Sequence, residues 1–238
     1  MAKYFVKRKR QCLGDGYEMS ASVCKGRQRA LYPKCPVCHH RDNAIGTLTE
    51  EEIHRLATTT DVDTKQPYSS PLKNKCITLK DIQVAIKVWR ERNGPPQIPP
   101  SDWRQAPHVW KQGPNMGAIT LTKRQLNYLD LNGIVFSRAE MEEASLNYTQ
   151  LIGAFLPRVN LSRAKLIKAK ASEAVFYEAN LTEAEFYKAD LTSSHFTGAI
   201  LERTRLFDSV LTGAYFFRAR LGNTEMMAKQ IGRAIGEE

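Results

Sequence analysis

The chain has 238 residues, 42% hydrophobic and 25% charged, with 35 Lys and Arg against 25 Asp and Glu, a net charge of +10. That length and composition provide for one or two domains with real cores, and exclude wholesale disorder, collagen and a disulfide-held scaffold. No apolar run approaches the roughly 20 residues that cross a bilayer, and the basic start through Arg10 lacks the apolar core of a secretory signal, so a cytoplasmic protein without membrane contact is expected.

The charge is uneven along the chain. Residues 1–116 carry 20 basic and 11 acidic side chains, residues 117–223 carry 13 and 11, and residues 224–238 carry 2 and 3. All five cysteines stand in the first 76 residues. Residues 1–93 therefore read as a basic, Cys-rich module of small α+β type. Within it Cys35-Pro36-Val37-Cys38 is a C-x-x-C knuckle followed by His39 and His40. Two thiolates this close turn onto one tetrahedral Zn²⁺, and a structural site needs two further ligands. Cys12 and Cys24 complete an all-cysteine set, with His39 or His40 as the alternative fourth ligand. One structural Zn²⁺ is the expectation; plain reduced thiols and a redox pair are the alternatives, the latter without its βαβ context.

Lys7, Arg8, Lys9 and Arg10 adjoin Cys12, and Lys25, Arg27 and Arg29 follow Cys24, with Tyr4, Phe5, Tyr17 and Tyr32 interleaved. Such a module would hold phosphate backbones by counterion release. A solvated basic face, or contact with an acidic protein, is the competing reading. Two helices come next: a short one opened by the capping box at Thr49-Glu50-Glu51-Glu52, and a longer one opened by Thr78 and Asp81. The second places Ile82, Ala85, Ile86 and Trp89 on one face and stops at Gly94. Residues 94–117 hold six of the eleven prolines and read as a semi-rigid connector, packed down by Trp103 and Trp110.

From Leu121 to Leu221 a large apolar residue returns at every fifth position, and 20 of the 21 are Leu, Phe or Met, Ala171 being the exception. Two residues before most of them stands a small one, such as Ala139, Ala154, Ala179 or Ala214. A period of five suits neither an amphipathic helix nor a plain strand. With Ala179-Asn180-Leu181-Thr182-Glu183 and Ala189-Asp190-Leu191-Thr192-Ser193 matching A(D/N)LXX outright, residues 118–223 resemble the pentapeptide-repeat family. The resemblance implies a mainly β fold, a right-handed four-sided β-helix of about five coils, with the large and small residues pointing inward. At strand spacing of ~4.8 Å the coils make a rod of roughly 24 Å.

Sorting the large residues by a period of 20 puts Phe136, Leu156, Phe176, Phe196 and Phe216 in one class, four Phe of five, whereas the other 16 positions hold only Phe186. Four repeats per coil with the aromatics on one wall would sort them so. Ile119, Arg124, Leu129 and Ile134 are too large for the small inward positions, so an irregular first coil is expected, and Pro157 is expected to remove a ladder donor. Outside the Phe-lined wall the residues before the core positions are Val135, Phe155, Val175, His195 and Tyr215, joined by Tyr177, Phe217, Arg138, Arg158 and Arg218. This column is either a docking face for a protein partner or a second copy of the chain, or it is covered by the N-terminal half. Residues 224–238, with Met227, Ile231 and Ile235 at helical spacing, read as a capping helix.

No nucleotide-binding, hydrolase-elbow or metalloprotease motif occurs. The best-known role of the resembled family is to bind type II topoisomerases as a DNA mimic, but that requires a strongly acidic rod and this one carries +2. The expected function is thus a non-enzymatic adaptor: a rod docking a protein partner, with a zinc-stabilised basic module on nucleic acid or an acidic partner. A gyrase-directed DNA mimic is the first alternative, and a zinc-dependent nuclease-like enzyme the second.

Overall fold

The computed structural model describes residues 9–11, 18–20, 51, 79–96 and 113–225. Its dominant feature is a four-sided solenoid. Nineteen isolated parallel bridges run from Asn115↔Val135 to Arg205↔Glu225, and each joins a residue to the one 20 positions on. Four pentapeptides per coil is thereby established. The sides are single bridges rather than long strands because a turn intervenes every five residues.

Each turn follows from the pentapeptide itself. The carbonyl of a large inward residue accepts the N–H of the small inward residue three positions later, as Met141 does from Ala144 at 3.0 Å. The second central residue has positive φ, the mark of a type II turn. This recurs at every fifth residue from Ala118 to Asn223, 22 turns with no slip, four of them at glycine. At about a quarter coil per turn, the rod has about five and a half coils and is roughly 25 Å long.

Three backbone bonds per pentapeptide tie successive coils. Leu146 N–H donates to the Lys165 carbonyl (2.6 Å), Tyr148 N–H to Ile167 (2.9 Å), and Lys165 N–H back to Ala144 (2.9 Å). The first turn residue lends its carbonyl to this ladder but not its N–H, which in several turns a side chain serves. Asn180 Oδ1 accepts from the Thr182 N–H and hydroxyl (3.1 and 2.8 Å), and Asp190 Oδ1 does the same for Thr192 (3.1 and 2.7 Å). That is why Asn or Asp stands before the core residue and Thr or Ser just after it. Pro157 occupies the first turn position, so it withdraws no ladder donor; its carbonyl still accepts Arg138 N–H at 2.9 Å. The expected local defect does not arise.

Inside the rod, Phe176, Phe196 and Phe216 stack at 5.1 and 4.9 Å, with Phe186 edge-on to Phe176 at 6.0 Å. Thr149, Ser194 and Ser209 fill small positions and donate to the carbonyl three residues back. The first coil is regular in both turns and bridges, contrary to the sequence expectation. Its bulky residues have another cause. A helix, α1 (Leu79–Asn93), contributes Ile82, Ala85 and Ile86 to the same buried cluster as Met116, Ile119 and Ile134. Large side chains fit where the core meets a helix instead of another coil. The helix carries Asp81 in its first turn and Arg90 and Arg92 in its last, the signs its dipole favours. It ends at Gly94, with φ +75° and an N–H to the Arg90 carbonyl at 2.9 Å.

Two points fasten α1 to the rod. Arg90 forks onto Asp130 with contacts of 2.6 and 2.8 Å. Pro96 lies over Gly133, where an added Cβ would stand 2.1 Å from the Pro96 Cβ. Near the N-terminus, β1 (Lys9–Gln11) pairs antiparallel with β2 (Glu18–Ser20), Arg10 opposite Met19. Glu51 is helical, and the rest of the expected short helix lies outside the described residues, as does the expected C-terminal helix beyond Glu225.

Candidate protein-docking surface

The square coil gives the rod four corners, each a column of turns. On one, Lys123, Glu143, Arg163, Glu183 and Arg203 succeed one another at 20-residue intervals with alternating sign. Lys123 pairs with Glu143 (3.3 Å), Arg163 with both Glu142 and Glu143, and Arg203 with Glu183 (2.6 Å). Exposed pairs of this kind are worth about 0.2–1 kcal/mol each. Their effect is to cancel charge within the rod. Another corner is mostly polar and small: Asn132-Gly133, Ile152-Gly153, Ser172-Glu173, Thr192-Ser193 and Thr212-Gly213.

The column expected outside the Phe-lined wall divides in two. Val135, Phe155 and Val175 are 0%, 1% and 0% exposed and form a separate buried cluster with Tyr177 packed against it. They are shut off from solvent within the single chain and offer no open face to a partner, which corrects the expected interface at these three residues. Arg158 lies over Tyr177 (6.0 Å) and pairs with Glu178 (2.7 Å), and Arg138 is half-buried. Lower on the same column the face opens. His195 stacks on Tyr215 at 4.8 Å, Tyr215 and Phe217 are each 37% exposed, and Arg218 covers the Phe217 ring at 5.0 Å.

The remaining corner holds what inward-residue sorting missed. Tyr128, Tyr148, Tyr187 and Phe207 are large exposed hydrophobics, Tyr128 the most open at 73%. Tyr128 stacks on Tyr148 at 5.0 Å and Tyr187 on Phe207 at 6.3 Å. Lys168 caps the Tyr148 ring (5.3 Å) and Lys188 the Tyr187 ring (4.9 Å). A hydrogen bond with Tyr187 holds the Lys188 amine above its ordinary range. Sorting the turn residues by 20, as the core residues were sorted, would have revealed this stripe.

Of the expected nucleic-acid residues, Lys9 and Arg10 belong to β1, while Lys7, Arg8, Lys25, Arg27 and Arg29 lie outside the described residues. So do Cys12, Cys24, Cys35, Cys38, His39 and His40. Among the described residues no group of three or more His, Cys, Asp and Glu could hold a metal, and no helix is long and apolar enough to cross a membrane.

Comparison with known proteins agrees with this architecture. The family description "Pentapeptide repeats", in eight copies, matches residues 125–156, 160–198 and 186–223. Over those residues the chain matches the pentapeptide-repeat family, whose members form right-handed β-helix solenoids. Similar solved structures include a pentapeptide repeat protein from the Arabidopsis thaliana thylakoid lumen, 25% identical over 48% of this chain and 79% of that one, with a TM-score of 0.41. HetL, a pentapeptide repeat protein involved in heterocyst differentiation regulation in a Nostoc cyanobacterium, is 21% identical over 51% and 71%, TM-score 0.32. QnrB1, a plasmid-mediated fluoroquinolone resistance protein, is 14% identical over 45% and 68%, TM-score 0.31. No curated protein matches the chain.

Proposed function

We propose that the protein is a non-enzymatic adaptor whose rod docks a protein partner while the basic N-terminal module, pinned by one structural Zn²⁺, contacts nucleic acid. The observation that carries the docking half is the unbroken register of 22 turns. A backbone bonded coil to coil throughout is rigid, so side chains at its corners are held ready and lose little freedom on binding. The internal pairing of Lys123, Arg163 and Arg203 with Glu143, Glu142 and Glu183 supports a protein partner over DNA mimicry, which needs uncompensated negative charge.

The zinc half rests on the Cys12, Cys24, Cys35 and Cys38 spacing, with His39 or His40 as the alternative ligand. Purified protein should then hold about one equivalent of Zn²⁺ by elemental analysis, and Cys35→Ser should lose it; metal-free protein with unchanged folding would refute the zinc reading. For docking, tagged full-length chain recovered from its native host should retain a stoichiometric protein after nuclease treatment. Recovery of nucleic acid with no protein would refute the docking half.

A further inference from the structure

On that reading of the rod as a protein-docking scaffold, we infer that the docking element is the aromatic corner formed by Tyr128, Tyr148, Lys168, Tyr187, Lys188 and Phe207, and that its partner is a protein presenting an acidic, apolar-floored groove. The corner is one column of turns on five successive coils, a convex ridge of roughly 19 Å at strand spacing. Four large aromatics stand exposed along it. Tyr is among the residues that concentrate at protein interfaces, and a ridge of them is the shape a groove accepts.

The charge around the ridge states the chemistry of that groove. Elsewhere on the rod cations close ion pairs with carboxylates one coil away, as Arg203 does with Glu183 and Arg205 with Glu185. Lys165, Lys168, Lys170 and Lys188 flank or cap the ridge, are exposed, and form no ion pair among the described residues. The acids nearest in sequence are spoken for or outnumbered. Glu185, one coil from Lys165, binds Arg205; Asp190, one coil from Lys170, accepts from Thr192; and Asp208, one coil from Lys188, acts on that amine without closing an ion pair. Carboxylates on a partner would complete the lysines, and such complementarity steers and orients docking.

Single-stranded nucleic acid suits this ridge less well. Base stacking needs open ring faces in a groove that tracks the backbone. Here Tyr128 and Tyr148 cover each other, lysines cap Tyr148 and Tyr187, and the surface is convex.

The test uses full-length protein in its native host, with a benzophenone amino acid in place of Tyr148 or, as a control on the polar corner, in place of Ser172. Position 148 should yield a protein adduct whose mapped contact peptide is rich in Asp and Glu, and position 172 should not. Lys168→Glu with Lys188→Glu should lower the yield about tenfold or more, with the unfolding midpoint of the purified variant unchanged. A nuclease-sensitive adduct would overturn the inference in favour of nucleic acid. Equal yields at both positions, or none at 148, would overturn the choice of ridge. A protein adduct obtained from position 215 instead would overturn the ridge while leaving the docking reading standing.

Discussion

Eighteen of the 22 turns put a residue other than glycine at positive φ, mostly Glu, Lys or Arg. An L-residue there costs about 1–2 kcal/mol relative to right-handed conformations, and the coil-to-coil hydrogen bonds offset it. Two opposite outcomes follow for glycine exchanges. Glu173→Gly relieves the backbone cost and should be neutral or stabilising by up to about 1 kcal/mol in chemical denaturation. Gly133→Ala meets Pro96 at 2.1 Å and should destabilise by about 1–3 kcal/mol. If both proved equal, turn strain would not govern these positions. The pentapeptide motif itself gains a cause at this scale. Asn or Asp before the core residue satisfies the one turn N–H that the ladder leaves over, as Asn180 and Asp190 do.

At the scale of the element, α1 closes the first coil, and its attachment should respond to acid. The Arg90 guanidinium bonded to Asp130 holds that carboxyl below the usual carboxylate range. A lowered pKa contributes stability above the ordinary value, about 3.9, and loses it as pH falls through the folded value. Buried Trp89 should therefore report loosening of α1, by fluorescence, below about pH 4. Asp130→Asn should remove that step and lower the midpoint at neutral pH slightly, the pair being partly exposed. An unchanged acid profile in the variant would assign the step to other groups. Within the rod, Phe176 is enclosed by stacked and edge-on rings, and Phe176→Ala should cost about 3–5 kcal/mol. Phe216, near the end and less enclosed, should cost less.

At the scale of the whole molecule, the period of five made the rod legible from sequence, and the period of 20 made its aromatic wall legible too, because inward positions admit few residue types. For Val135, Phe155 and Val175 the repeat pattern left two readings open, a docking face or a covered one, and their burial fits the second. A repeat pattern says which residues leave the core, and contacts distant in sequence decide what covers them. The Tyr128–Phe207 stripe escaped for a related reason: turn positions tolerate many side chains, so the stripe emerges only when they too are sorted by 20, and the stacked rings then show that these turns share a chemistry. Charge divides in the same way. The rod pairs Arg158, Arg163, Arg203 and Arg205 with its own glutamates, and the excess resides in residues 1–116.

That division is the central claim, and one titration tests it: anisotropy of a labelled 20-mer oligonucleotide with full-length protein between about 50 and 200 mM salt. The account predicts binding that weakens steeply with salt, is lost when Lys7, Arg8, Lys9 and Arg10 are changed to Ala, and is untouched by Lys168→Glu with Lys188→Glu. Binding that vanishes with the rod substitutions and survives the N-terminal ones would contradict it.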